Sequence, residues 1–312
     1  MCSKRISSHS GSGGIHYERN LLVCLSIGVM SSLSSDPSAK THLAYHYDSK
    51  LLTQETVVSA VYGFSSLDEA SKSLFKTGTD AHHVVVTEST IFHPQGGGQP
   101  SDEGSITDGK VYFVVEAARM DGGNDGRVLH FGRFSSSASI PEGEYVAPES
   151  TFVPGATVTQ QVDGEKRLLY SRLHTAGHVL GAAVRAVVGP SIPGFDELKA
   201  SHFPGTAACE FRGLIAGTWQ GPIQQRVDDY LAAKMPVEID WWGREDFERE
   251  GLVRLIPEGW DEAGKLRVVK IVGAEVYPCG GTHVETTDLC GETKVKRIAR
   301  AKGISRVSYT VA

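Results

Sequence analysis

"DGEKRLLYSRLHTAGHVLGAAVRAVVGP", residues 163 to 190, is a long helical pattern that follows a region, about 41 to 160, in which apolar residues alternate as they do in strands. Asp163 suits an N-cap, because its carboxylate can accept from the first unpaired N–H groups, and Glu165 suits the positive end of the helix dipole. Leu169, Leu173, Ala176, Leu180, Ala183, Val184 and Val187 recur at helical spacing until Gly189 and Pro190 end the run. Within it His174 and His178 stand at i and i+4, so both imidazoles project from one helix face about a turn apart. The stretch divides the sequence into a β-rich part before it and a mixed part after it.

Upstream, the runs "HHVVVTES", "KVYFVVEAARM" and "RVLHFGRF" are punctuated by Gly, Asp and Pro and predict a small β-barrel over residues 41–160. "SSSASIPEGEYVAPES" reads as a long loop. Downstream, a second helix is predicted to open after Gly221 and Pro222, with Ile223, Val227, Tyr230 and Leu231 on one side. "VEIDWW" and "LRVVKIVG" read as strands, and "ETKVKRIARAKGISRVSYTV" as a terminal hairpin turning near Lys302 and Gly303. The fold class is therefore α+β: a barrel, then an α+β domain over residues 161–312, with no internal repeat. Residues 1–40 differ, with Lys4, Arg5 and Arg19 against Glu18, then "LLVCLSIGVM" and a Ser-rich tail. They read as a disordered extension, or as a start placed too far upstream, in preference to an organelle (mitochondrial) or secretory presequence.

Length and composition narrow the classes further. With 312 residues and 40% apolar content the chain can bury a full core, most simply as two domains. A net charge of -6 excludes a uniformly basic nucleic-acid binder but leaves room for a local basic patch. No run approaches the roughly 18 consecutive apolar residues of a membrane helix, so no membrane partner is expected. The five cysteines, Cys2, Cys24, Cys209, Cys279 and Cys290, are odd in number and thinly spread, which points to a reducing, cytoplasmic setting where a thiol is free to bind metal.

The partners of the histidine pair lie in "YPCGGTHVET", residues 277 to 286, where Cys279 and His283 stand four positions apart across two glycines. One thiolate and three imidazoles, His174, His178 and His283 with Cys279, suit one Zn²⁺ per chain, with bonds of roughly 2.0 to 2.3 Å. Either motif alone arises often by chance; their joint presence carries the metal reading. A zincin peptidase needs Glu directly after the first His, where Thr175 stands, and the inverted order needs Glu before the second, where Gly177 stands. A structural finger would place two cysteines close together before two histidines, whereas Cys279 has no cysteine neighbour nearer than Cys290 and the His pair comes first.

These motifs resemble the editing domain of alanyl-tRNA synthetases and the freestanding alanyl-tRNA editing proteins that share it. "HTAGH" matches the family's HxxxH, "CGGTH" its CxxxH, and "IFHPQGGGQPSDEG" (91–104) the glycine-rich block of the barrel preceding the editing domain; "ASHFPG" and "CGETKVKRIARAKGISRVSYTV" agree in place and order. The resemblance spans about 41 to 312. HxxxH with CxxxH is shared with threonyl-tRNA synthetases, while the GGGQ block points to the alanyl branch; His93 stands where an aromatic residue such as Tyr is expected. The resemblance implies a zinc-binding editing domain that removes serine, and to a lesser degree glycine, from tRNA(Ala). It implies catalytic roles for Gln99, His174 and His178, and a loop of Gly97, Gly98 and Gln99 facing the metal and the terminal adenosine. Thr175 or Ser201 is the expected partner of the serine hydroxyl.

The chemistry of these residue types is consistent with such a task. Gly96, Gly97 and Gly98 let backbone approach a ligand closely, and the Gln99 amide both donates and accepts. No phosphate-binding signature is present, and there is no length before residue 41 for an ATP-dependent activation domain, so aminoacyl-tRNA synthesis is not expected. An activation pocket for alanine cannot strongly reject an isostere that adds a hydroxyl, so a second hydrolytic site is needed. Ester hydrolysis requires a positioned water and stabilisation of the oxyanion. Zinc would lower the pKa of a water or fix the substrate's amino group and carbonyl. Four protein ligands close a tetrahedral site: either coordination expands, one ligand yields, or the metal is structural and Gln99 or the tRNA's own hydroxyl positions water. In residues 291–312, Lys294, Lys296, Arg297, Arg300, Lys302 and Arg306 stand against Glu292. This surplus reads as acceptor-stem contact, with Lys296, Arg297 and Arg300 foremost, or as a strand edge protected by charge. Mischarged tRNA(Ala) is the expected partner, with a loose association with the translation machinery. The alternatives are a zinc-stabilised tRNA-binding protein without deacylase activity, and editing of another mischarged tRNA of the threonyl type.

Overall fold

Alternation of buried and exposed side chains closes the first part of the chain into a barrel. In chain order its elements are β1 (His42–Leu43), β2 (Thr53–Gly63), α1 (Glu69–Ser73), β3 (His83–Thr87), β4 (Ser89–Thr90), β5 (Gly104–Thr107), β6 (Tyr112–Met120), β7 (Val128–Ser135) and β8 (Thr157–Val162). Strands β2, β3, β7, β6, β5 and β8 form the closed cylinder in that order, every neighbour antiparallel, while β1 and β4 make a short parallel pair. Register shifts between Val58 and Ala60 in β2 and between Val115 and Ala117 in β6 supply the curvature that closure requires. The computed structural model describes residues 40–122, 126–136, 151–261 and 263–312, all within the unit Ser34–Ala312. The extension read over residues 1–40, apart from its last residue, and most of the Ser-rich loop lie outside the described residues.

Two apolar clusters explain why β3 reads as the unbroken run "VVV". Val85 faces a core of Val58, Ile106, Phe113, Phe134 and Val158, while Val84 and Val86 face a second cluster with Phe64, Phe75 and Phe131. Both faces of the strand are buried, so polar alternation is lost. The fully buried rings of Phe113 and Phe134 sit 4.9 Å apart. Burial of such a side chain contributes about 1.5–3 kcal/mol.

The rest of the chain comprises α2 (Gly164–Val187), β9 (Asp196–Ser201), β10 (Ala208–Arg212), α3 (Gln220–Ala232), β11 (Val237–Trp242), α4 (Arg244–Arg249), β12 (Leu266–Ile271), β13 (Glu275–Pro278), β14 (Thr293–Ala301) and β15 (Ile304–Val311). An antiparallel sheet in the order β14-β15-β10-β9 shares one core with α2 and α3, and β11-β12-β13 form a second antiparallel sheet. The Asp163 carboxylate caps α2 by accepting from the N–H groups of Glu165 and Lys166. Leu173, Ala176, Val179, Leu180, Ala183 and Val184 on α2 are almost fully buried, whereas Leu169, expected on the same stripe, is 37% exposed. The first turns of α2 face the barrel, not the sheet, and there the buried position belongs to Arg167. Helix α3 begins at Gln220, before the Gly-Pro pair expected to precede it. Pro222 stands in its first turn, where the missing N–H would have had no partner within the helix. The terminal hairpin turns at Lys302 and Gly303, with φ of 51° and 79°, the signature of a two-residue type I′ turn.

A buried ion pair ties the barrel to α2. Arg167 Nε and Nη2 donate to the Asp102 carboxylate at 2.5–3.0 Å, Nη2 also to Ile91 O at 2.6 Å, and Nη1 to Ser49 O at 2.8 Å. Asp102 in turn accepts from the His93 N–H at 2.6 Å. Arg167 stands two turns before His174, so this junction sets where the histidines fall relative to the "GGGQ" loop.

Candidate metal centre

Helix α2 and the loop after β13 meet at one point. The ligand atoms offered by His174, His178, Cys279 and His283 all lie within 4.8 Å of one another. Cys279 Sγ is 3.5 Å from His174 Nε2 and 3.3 Å from His283 Nε2. Gly281 makes this approach possible, since a Cβ there would stand 2.2 Å from His174 Cε1.

Hydrogen bonds behind the rings fix their tautomers. The Thr282 backbone N–H can only donate, and it donates to Gln99 Oε1 at 3.0 Å, so the oxygen of the Gln99 amide is the atom turned toward His174. His174 Nδ1, 2.7 Å from that oxygen, must carry the proton, which leaves Nε2 as a lone pair facing the cluster. Thr175 works the same way on His283. Its one hydroxyl proton goes to Ser171 O at 2.9 Å, and its oxygen accepts from Val284 N–H at 3.2 Å and from His283 Nδ1 at 3.1 Å. His283 Nε2 is therefore free as well. His178 Nδ1 is buried and has no hydrogen-bond partner among the described residues.

Burial, reinforced by neighbouring imidazoles, holds His174 and His283 well below the ordinary histidine range, and burial lowers His178 to about 3. All three rings are neutral near pH 7, the form that binds a metal. Burial pushes the Cys279 thiol up, against the Gly281 N–H and the Arg267 guanidinium, which lower it. A coordinated cation would favour its thiolate. Two imidazoles with fixed tautomers, an orphaned ring nitrogen and one thiol fit a four-ligand N₃S metal site.

The cluster opens onto a cavity of about 430 Å³ lined by Gly97, His202, Glu197, Tyr277 and Gly280, among others. His202 was not singled out by spacing, because "ASHFPG" offers no second ligand at helical or turn distance. Its ring stacks on His174, centroids 4.3 Å apart, and burial lowers its pKa to about 4. Tyr309 Oη donates to Leu173 O at 2.8 Å, so it accepts from His202 Nδ1 at 2.6 Å and His202 Nε2 remains an acceptor. Burial is the main cause raising the Glu197 carboxyl to about 7, and a hydrogen bond with Tyr277 works against that rise.

The other sequence-selected residues are distributed as follows. Gly97 and Gly98, at φ 55° and 81°, turn the chain between Gly96 and Gln99, and a Cβ on Gly98 would stand 2.4 Å from Ala200 O. Gly97 lines the cavity, whereas Gln99 is fully buried behind the ligands. Its amide is engaged by His174 and Thr282, which makes it a positioning residue and not a contact for an adenosine. Thr175 is likewise fully buried, and its hydroxyl orients His283, so it has no free capacity for a serine hydroxyl. Ser201 ends β9 beside His202, paired with Ala208. Lys296, Arg297 and Arg300 are exposed on β14. That strand and β9, which borders the cavity, are opposite edges of the same sheet. Three strand spacings, roughly 14 Å, separate them. The cations that do line the cavity are Arg185, Lys199 and Arg254.

Because Gln99 sets the tautomer of His174, Gln99→Ala is expected to weaken metal affinity about 10- to 100-fold. Competition with a chelator of known affinity measures this; unchanged affinity would reduce Gln99 to a packing role.

Comparison with known proteins agrees with this arrangement. Residues 266–308 match the family model "Threonyl and Alanyl tRNA synthetase second additional domain", a span that contains Cys279 and His283. Relatives include the alanine–tRNA ligases of Methanosphaera stadtmanae (28% identical, 88% of this chain, 27% of that protein) and Methanothermobacter thermautotrophicus (28%, 72% and 23%). The enzyme of Korarchaeum cryptofilum is 30% identical over 72% of this chain and 23% of its own length. The chain thus spans about a quarter of the length of these relatives. Over most of its described length, the chain resembles the editing region of alanyl-tRNA synthetases.

Proposed function

We propose that the chain is a trans-editing hydrolase that cleaves the ester of mischarged Ser-tRNA(Ala), and to a lesser degree Gly-tRNA(Ala), at a zinc-containing site. The observation that carries this reading is the orientation of His174 and His283, whose unprotonated Nε2 atoms face Cys279, itself on the wall of a cavity of about 430 Å³. His174, His178, Cys279 and His283 would hold the metal, and Lewis acidity toward the ester is the chemistry it adds when bound.

The chain's own residues supply the remaining chemistry. Glu197, raised by burial to about 7, would be drawn to its carboxylate form by the α-ammonium group of an aminoacyl ester and serve as its counter-charge. His202 Nε2 offers a neutral acceptor to a substrate hydroxyl or to water, its ring held by Tyr309. Arg185, Lys199 and Arg254 on the cavity wall, paired with Glu275, Glu210 and Asp196, would meet the phosphates nearest the acylated ribose by exchanging those partners.

Single-turnover hydrolysis of Ser-tRNA(Ala) and Ala-tRNA(Ala) tests the reading. A pocket that pairs with the serine hydroxyl is left with an unpaired polar group when alanine enters, at a cost of about 1–3 kcal/mol, which predicts roughly a 5- to 150-fold preference for the seryl ester. Equal rates would mean a general esterase or another editing specificity. No hydrolysis of either, with metal present, would identify a tRNA-binding protein instead.

A further inference from the structure

Tyr47 is 63% exposed, and it is the only aromatic among the large hydrophobic side chains exposed in the described residues. It does not stand alone. Its ring stacks on Trp241 (centroids 5.2 Å, planes at 21°) and on His42 (5.4 Å, 14°). His46 adjoins the Trp241 end of this ladder at 6.0 Å. His46 also reaches the ligand loop, since a Cβ on Gly280 would stand 3.4 Å from His46 Nε2. Arg267 braces the two together, donating from Nε to His46 O at 3.1 Å and from Nη1 to Cys279 O. The stack therefore starts beside the rim of the metal cavity, where Gly280 is a lining residue, and runs outward along the surface.

We propose that His42, Tyr47 and Trp241 form a stacking platform for the unpaired nucleobases at the end of a polynucleotide whose terminal ribose enters the cavity. The inference rests on the proposed editing reading, and it assigns a binding role that neither the metal motifs nor the basic strand β14 supplies. The faces inside the stack are turned to one another, and a base extends it from the exposed His42 end, because every base presents a π-face. The charges nearby favour bases over phosphates. Asp48 follows Tyr47 directly, and Asp240 accepts from the Trp241 N–H at 2.8 Å and from Trp242 Nε1 at 2.9 Å. A strand lying here turns its bases to the rings and its phosphates away from these carboxylates. An aliphatic protein partner would gain little from a ladder of parallel rings flanked by acids.

The test compares full-length protein binding to an RNA hairpin with a four-nucleotide 3′ single strand, to the same hairpin with a blunt end, and to tRNA(Ala). Tyr47 is exposed, so Tyr47→Ala leaves the core intact. It is expected to weaken overhang binding about tenfold, within the range for loss of one base–aromatic stack, and Tyr47→Phe is expected to restore it. The overhang RNA should also quench tryptophan fluorescence in the wild type, and Trp241→Phe should remove most of that quenching. Equal affinity of the wild type for blunt and overhang hairpins, no binding of either, or unchanged affinity in Tyr47→Ala would overturn the platform. The two readings fail separately. Hydrolysis of Ser-tRNA(Ala) with a KM unaltered by Tyr47→Ala removes the platform and leaves editing. Tyr47-dependent overhang binding in a protein that hydrolyses neither charged tRNA keeps the platform and removes editing.

Discussion

Cys279→Ala is expected to lose most of its bound metal and, with it, the proposed deacylation. Structural zinc sites contribute roughly 10–16 kcal/mol through four ligands, so one ligand is worth roughly 3–4 kcal/mol, or on the order of a hundred- to thousandfold in Kd. The thiol is the sole sulfur in the cluster, and no carboxylate belongs to the group that could replace it. Elemental analysis after dialysis against a weak chelator should find about one zinc per wild-type chain and a small fraction of that in the variant. The wild-type melting temperature should rise with added zinc more steeply than that of the variant, because binding only the folded form stabilises it by mass action. Full occupancy in Cys279→Ala would overturn the ligand assignment.

Arg167→Ala should be the most destabilising single change at the barrel–helix junction. It leaves the fully buried Asp102 carboxylate without its counter-ion and removes the donors of Ile91 O and Ser49 O. Removing one partner of a buried pair costs about 3–5 kcal/mol. Urea titration should show a lower midpoint with an unchanged slope, the mark of lost stability without a change in unfolded-state exposure. Replacing both partners, Asp102→Leu with Arg167→Met, should recover part of the loss, since a buried pair exchanged for packed apolar groups is often near neutral. A loss below about 1 kcal/mol in Arg167→Ala would mean that water reaches Asp102 and that the junction is held by packing instead.

Both experiments address contacts that differ in how far apart their partners lie in sequence. His174 and His178 are one helical turn apart, and Cys279 and His283 share one turn, so each pair could be read from spacing alone. The pairing of Gln99 with His174 spans 75 residues, that of Thr175 with His283 spans 108, and that of Arg267 with His46 spans 221. No local pattern distinguishes a glutamine that touches substrate from one that holds a histidine, because the residue type and its flanking glycines are the same in both cases. The expected roles of Gln99 and Thr175 in substrate contact change for that reason. Leu169 shows the same limit on a smaller scale: helical periodicity identifies a stripe, but where the stripe is covered depends on what packs against each turn.

What the sequence by itself determined was local: the strand alternation of the barrel, the Asp163 cap and the apolar face of α2, the Lys302-Gly303 turn, and the HxxxH and CxxxH pairs. Each follows from φ/ψ preference, side-chain periodicity or capping within a few residues. Only the tertiary structure decided that the two pairs converge on one point, that Gln99 and Thr175 set the tautomers of His174 and His283, that His202 and Glu197 wall the cavity, and that Tyr47 finds Trp241. These are meetings of segments brought together by closing the barrel and packing α2 against the sheet. The free energy that holds them comes from burial of the shared core, which is proportional to area and carries no record in the sequence of which polar groups will be trapped side by side.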